Sequence, residues 1–327
     1  MIVVTGATGH VGNVLLRSLA AEGGAELRAL VRPGGSSASI ADLGVEVVEA
    51  DVRRYDSLLQ AFRGAEVVFH LAGIVSIAGG GFKRLKETNV GGTRNVLAAC
   101  REAGVRRLIY TSSVHAFVDW PVGTCLEETT VIDPLRVRAP YAKTKAEATL
   151  LVLDATKQGL DAVVVFPTGI IGPHDFRPSD TGQLVLECSR GRLKASVPGA
   201  YNFVDVRDVA QGLMAAAKKG RAGEGYILAG HEITVGDLLQ SVELITGVPA
   251  PSLCLPLGFV RALSFLFPAY YWITRERPLF TTYSLDVISS NCFMSHEKAD
   301  RELGFSPRPF RETMEDTLRW FRGQGSL

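Results

Sequence analysis

Tyr141 and Lys145 stand four residues apart in the segment YAKTK, a spacing that puts both side chains on one face of a helix. Just upstream, the buried-strand pattern VRRLIYTSS ends in a cluster of hydroxyls that includes Ser113. A phenol, an ammonium and a hydroxyl held together suit hydride transfer to a carbonyl. That reaction needs a proton delivered to the carbonyl oxygen, and its reversal needs a base. A free tyrosine, with a pKa of about 10, is a poor base at neutral pH. An ammonium about 4 Å from the phenolate is worth roughly 4 kcal/mol at an effective dielectric of about 20, equivalent to about three pK units. Lys145 is therefore expected to draw Tyr141 toward about 7, before desolvation subtracts from the effect. Ser113 is expected to bond the substrate oxygen and stabilise developing alkoxide. A Tyr/Lys pair at this spacing is common by chance, so its meaning depends on what surrounds it.

The surroundings supply a dinucleotide site. The segment TGATGHVG places Gly6, Gly9 and Gly12 between a first strand and a first helix. Gly6 permits the tight turn, Gly9 lets a pyrophosphate approach backbone N–H groups, and Gly12 lets the helix pack on the strand. Thr8, His10 and Val11 share that turn and are expected to touch the cofactor. The spacing is GxxGxxG, one residue longer in the turn than the usual fingerprint. At the end of the second strand, where the ribose 2′ position is read, ALVRPGG offers Arg32 and no acid. A guanidinium there grips a 2′-phosphate bidentately, so NADP is expected in preference to NAD. Asp51, with Val52 beside it, closes the third strand and reads either as a partner for the adenine amino group or as a turn-capping aspartate.

The elements that must position these residues follow the βαβ pattern. Short β-branched runs at 2–5, 27–31, 45–49, 67–71, 108–111 and 162–166 alternate with helical periodicity. In the first helical stretch Val11, Leu15 and Leu19 share a face, and Gly23 and Gly24 supply the stop. This predicts an α/β fold with a doubly wound parallel sheet. Beyond Pro167 the run TGIIGPHDFRPSDTG reads as loop, and NFVDVRDVAQGLMAAAKKG reads as a further strand and helix that rejoin the first domain. The expected division is residues 1–167 plus about 202–230 for the dinucleotide-binding domain. Residues 168–201 plus 231–327 would form a smaller, discontinuous, mostly helical substrate domain.

Residues 253–273 are apolar enough to span a bilayer, but Pro256, Pro268 and Arg261 interrupt them. Two short amphipathic helices are expected there, used for core packing, as an apolar substrate wall or for membrane contact, and no membrane span is expected.

Composition narrows the partners. With 35 basic and 34 acidic residues among 327 and a net charge of +1, nothing motivates nucleic acid or an electrostatically held membrane surface. Five widely spaced cysteines form no CxxC pair, and a chain opening on MIVVTGATG carries no export signal, so reduced thiols and a cytoplasmic location are expected. The six histidines form no HxxH or HExxH pair and no GxSxG elbow occurs, which argues against metal and serine-hydrolase chemistry. His115, two residues beyond Ser113, is a candidate for substrate contact.

Taken in order, TGATGHVG, Asp51, HLAG at 70–73, NVGGTRN from Asn89, IYTSS, YAKTK and FVDVRDVA resemble the landmarks of the extended short-chain dehydrogenase/reductase superfamily, over essentially the whole chain. The C-terminal SHEKADRELGFSPR is similar to its closing helix. The resemblance implies a Rossmann domain, NADP or NAD as cofactor, and Ser113, Tyr141 and Lys145 as catalytic residues. It also implies cofactor contacts from Leu71, Ala72, Gly73, Asn89, Thr111, Pro167, Thr168, Gly169 and Ile170. The superfamily's sugar-nucleotide epimerases and dehydratases use an Arg before the FVDVRD-like strand and an RxGD further on. Here Tyr201 stands at the first position, as an expected substrate contact, and TTYSLDVISSN replaces the second. FPTGIIGP looks more like the dihydroflavonol reductase and 3β-hydroxysteroid dehydrogenase branches, which implies an apolar ketone or alcohol as substrate. A cofactor-retaining epimerase or dehydratase uses the same trio and remains the alternative. A non-catalytic NADP sensor would carry a degraded trio, which this chain does not. By analogy with the superfamily, a homodimer through the Tyr–Lys helix is expected.

Overall fold

The computed structural model describes residues 1–75, 81–121, 123–263 and 282–327. Seven parallel strands form the main sheet in the order β3-β2-β1-β4-β5-β6-β9. They are β1 (Ile2–Thr5), β2 (Leu27–Val31), β3 (Glu46–Glu49), β4 (Val67–His70), β5 (Arg107–Thr111), β6 (Ala162–Pro167) and β9 (Gly225–Leu228). The order reverses at β1, so the crevice at the carboxyl ends of β1 and β4 is the topological switch point where such sheets bind ligands. The six strands expected from the β-branched runs all form, with boundaries shifted by at most a residue.

Both faces are covered, as a parallel sheet requires. One core packs Leu58, Val68, Val96, Leu108, Val152 and Val164 on one side. The other packs Val4, Leu15, Val31, Ile109, Val165 and Leu213. The first helix, His10–Glu22, buries Leu15 and Leu19 and ends at Gly23, which takes a left-handed φ of 69°.

Two expectations for the second half need correction. The run after Pro167 is not all loop: β7 (Gly169–Ile171) is a strand and Asp180–Ser189 a helix capped by Ser179. The strand β8 (Ala200–Asp205) does not rejoin the main sheet. It lies between β7 and β10 (His231–Thr234) in a separate three-stranded sheet. Pro167, paired with Leu228, is the last residue of β6, and after Thr168 the chain enters β7 of the second sheet. The helix Val206–Lys219 and β9 return, the helix burying Val209 and Leu213 in the second core.

Of the apolar stretch 253–273, the part beyond 263 lies outside the described residues. Within it Leu257–Leu263 forms one short helix, burying Val260 and leaving Phe259 more than half exposed. Among the described residues no helix is long and apolar enough to cross a membrane, and no group of His, Cys, Asp or Glu is placed to hold a metal ion.

Candidate active site

A cavity of about 480 Å³ opens at the switch point. Its floor is the turn between β1 and the first helix, where Gly6, Gly9, His10, Val11 and Gly12 line it. Gly6 has φ +71°, and a Cβ there would sit 2.7 Å from the Ala72 amide nitrogen. A Cβ on Gly12 would meet the Gly6 carbonyl at 2.2 Å. No side chain fits at either position, so backbone alone faces the cavity there and a phosphate can approach it closely, with the Gly9 N–H closing the turn onto the Gly6 carbonyl at 3.0 Å. The turn therefore fits the pyrophosphate of a dinucleotide. His10 Nε2 lies 2.9 Å from the Pro173 carbonyl, which ties the turn to the segment after β7.

Ser113, Tyr141 and Lys145 meet on this cavity, and all three are buried. Ser113 follows β5 and its Oγ accepts from the His115 backbone N–H at 3.3 Å. Tyr141 and Lys145 sit in the first turns of the helix Pro140–Lys157, which Pro140 opens at a position where its missing N–H costs nothing. Small residues (Ala142, Ala146, Ala148) on the buried face let this helix approach the sheet closely. Lys145 Nζ donates to the Thr111 carbonyl at 2.7 Å and stands 5.1 Å from the centre of the Tyr110 ring.

The electrostatics correct one expectation. Burial pushes the Tyr141 phenol up to about 12, and the Ser113 hydroxyl beside it pulls the other way. Burial also lowers Lys145 to about 8. The ammonium was expected to bring Tyr141 toward neutrality before desolvation subtracted from the effect; in the free protein burial prevails, and Lys145 is held by Thr111. Tyr141 is thus a neutral phenol near neutral pH in the free protein.

Leu71, Gly73, Thr111, Pro167, Thr168, Gly169 and Ile170 also line the cavity. The Thr111 hydroxyl is buried there without a hydrogen-bond partner among the described residues, as a group awaiting a ligand would be. Asn89 is placed differently, as a clamp. Its amide binds the Ile74 N–H (2.8 Å), the Ile74 carbonyl (3.0 Å) and Thr144 Oγ1 (3.0 Å), fixing the loop after β4 to the Tyr–Lys helix. Ala72 donates its N–H to Thr5 Oγ1, and Thr8 and Val52 lie outside the lining.

Arg32 and Asp51 stand outside the lining too, at the ends of neighbouring strands β2 and β3, with Arg32 exposed. Asp51 makes the turn contact anticipated as its second reading: its carboxylate accepts from the Arg53 backbone N–H at 2.9 Å and pairs with the Arg53 guanidinium. Arg53 holds that carboxyl below the usual range, against a desolvation effect in the opposite sense, and Arg32 adds in the lowering direction. The sequence reasoning missed Arg53, because nothing in ADVRR distinguishes a pairing arginine from a solvated one.

The rest of the lining is mostly hydrocarbon with an aromatic cluster, and Ser179, Asp180, Thr181, Ser196 and Ser284 add polar groups. Leu184, Leu193, Val197, Leu238, Val287 and Ile288 form the wall. His115 and Tyr201, both expected substrate contacts, are joined by a 3.0 Å bond between Nε2 and the phenol and are stacked at 8°. Tyr283, on the helix Thr282–Ile288, closes the cluster and was not foreseen as a site residue. Its only signal was its place in TTYSLDVISSN, the stretch standing where a basic element was expected. None of the described residues of the 253–263 stretch lines the cavity.

Fold and site together define an α/β enzyme that works with a nicotinamide dinucleotide. The chain belongs to the NAD-dependent epimerase/dehydratase family, whose model matches residues 2–233. It is 37% identical to sterol demethylase protein B of Methylococcus capsulatus, over 99% of both chains. It is 32% identical to a putative dihydroflavonol 4-reductase of Synechocystis, over 98% of this chain and 94% of that one. Among solved structures, gox2253 superposes with a TM-score of 0.88 at 35% identity, covering 100% of this chain and 99% of the other.

Proposed function

We propose that this protein interconverts a carbonyl and a secondary alcohol on an apolar small molecule, with NADP preferred over NAD. The observation that carries the reading is the burial of Ser113, Tyr141 and Lys145 together on a cavity whose remaining lining is mostly hydrocarbon. The glycine turn would hold the pyrophosphate, Arg32 the 2′-phosphate, Asp51 the adenine edge, and residues 71–73 and 167–170 the nicotinamide half. When bound, the cofactor supplies the hydride donor or acceptor.

The remaining work belongs to side chains of this chain. The Ser113 hydroxyl donates to the substrate carbonyl oxygen and orients it. Tyr141, protonated in the free protein, gives its proton to that oxygen as the alcohol forms. Lys145, charged below about pH 8, stabilises the phenolate left behind. In the oxidative direction the same groups act in reverse, starting from the Tyr141 phenolate that Lys145 stabilises, which takes the alcohol proton as hydride leaves to the cofactor.

The wall from Leu184 to Ile288 and the absence of any arginine among the described lining residues favour an apolar substrate over a sugar diphosphate. The sterol and dihydroflavonol in the names of two relatives are polycyclic compounds without a diphosphate, the sterol largely hydrocarbon. The test is stoichiometric: NADPH supplied with a bulky apolar ketone should be oxidised one for one with alcohol formed. Product without net cofactor oxidation would instead mark a cofactor-retaining epimerase or dehydratase.

A further inference from the structure

We propose that Tyr283 is a specificity-determining residue whose hydroxyl hydrogen-bonds a second, uncharged oxygen of the substrate, separate from the reacting carbonyl. This rests on the carbonyl–alcohol reading above and extends it.

The Tyr283 phenol oxygen is buried and has no hydrogen-bond partner among the described residues. Its polar neighbours are already engaged. Tyr201 and His115 bond each other at 3.0 Å, and their rings are nearly parallel. Val287 on the same helix and Val197 opposite are hydrocarbon. A hydroxyl dried out in this way is costly unless something arrives to bond it, and the cavity it borders is where a ligand would arrive.

The chemistry of the partner follows from the charges. Burial lifts the Tyr283 pKa well above its ordinary value, so the group is a neutral phenol, and burial lowers His115 to about 4, so that ring is neutral too. A neutral donor with no cation in the cluster suits a carbonyl, ether or hydroxyl oxygen better than a carboxylate. The location follows from the rings. His115 stands 6.3 Å from Tyr141 and 5.8 Å from Tyr283, centre to centre, so both tyrosines neighbour one ring, and both line the same cavity. Tyr141 and Tyr283 can then serve two oxygens of one ring-sized fragment.

The experiment compares methoxycyclohexanone isomers with the matching ethylcyclohexanones, an exchange of oxygen for methylene at nearly constant shape, using the full chain with NADPH. Wild type should prefer at least one methoxy isomer over its ethyl counterpart by about tenfold in kcat/KM, expressed through KM. Tyr283→Phe should bring that ratio to about one, because the ring remains and only the donor is lost. A merely structural role would lower both series together and leave the ratio intact, which would overturn the proposal. Turnover of the ethyl ketones with no methoxy preference in wild type would overturn this inference alone. No turnover of either series would remove the carbonyl–alcohol reading and this inference with it.

Discussion

Lys145 reaches across from its helix and donates a 2.7 Å hydrogen bond to the main-chain carbonyl of Thr111, the last residue of β5. The ammonium is positioned by the same strand whose continuation carries Ser113, so the helix face and the strand end are registered against each other by one charged contact. Charge-assisted bonds of this kind are roughly twice as strong as neutral ones, which suits a side chain held in a buried site.

This contact leads to a pH profile. Tyr141 is up at about 12 and Lys145 down at about 8, so the first of the two to change state on raising the pH is Lys145. For the reductive reaction, kcat/KM should be flat near neutrality and fall as pH rises through about 8, reporting the free enzyme. Lys145→Met should lose at least about 100-fold at pH 7 and show no limb near 8. A wild-type profile that rises through that region would contradict the assignment.

The phosphate turn admits no side chain. Gly12→Ala drives a methyl to 2.2 Å from the Gly6 carbonyl, and Gly6→Ala adds a left-handed φ to a 2.7 Å clash with Ala72. Each should cost about 2 kcal/mol or more in unfolding free energy and weaken dinucleotide binding further than stability alone explains. Denaturant titration beside NADPH titration measures both.

Arg32 should decide between the cofactors. Removing a guanidinium from a 2′-phosphate forfeits charge-assisted hydrogen bonds worth roughly 1.5–3 kcal/mol, so Arg32→Ala should raise the Kd for NADPH about 10- to 100-fold. The Kd for NADH should stay within about twofold. Equal losses for both would show that Arg32 supports the fold or a shared part of the cofactor.

Acid should unfold the protein through buried neutral histidines. His70 bridges Thr5 Oγ1 (2.8 Å) and Thr93 Oγ1 (3.1 Å) across the sheet end, and burial takes it down to about 3. His115 is taken down to about 4. Because the unfolded chain binds these protons near 6.5, stability is full above that pH and drains away as pH falls toward the folded values. The loss should be on the order of a few kcal/mol by about pH 4. His70→Asn should be less stable at pH 7 yet lose less between pH 7 and 4.5, as read from urea midpoints.

The sheet was legible because strands buried on both faces must read as near-continuous apolar runs, and IVVT and AVVVFP do so. The glycine turn and the Tyr–Lys pair were legible because steric and proton-transfer demands leave few residue choices. The partner of β8 was not. AYNFVD has the same character in either sheet, and only the placement of β7 and β10 decides between them. The hydrocarbon wall was hidden for a related reason: Leu184, Val197, Leu238 and Ile288 come from distant segments, and each alone reads as ordinary core. Desolvation of Tyr141 was hidden as well, since the sequence places Lys145 nearby but does not say how dry the site is.

The central claim is that Tyr141 delivers the proton, and its most direct test is Tyr141→Phe assayed for NADPH oxidation against a bulky apolar ketone, with NADPH affinity measured on the same preparation. The substitution should cost at least about 100-fold in kcat and leave the Kd for NADPH within about twofold. A variant that turns over at the wild-type rate would contradict the account.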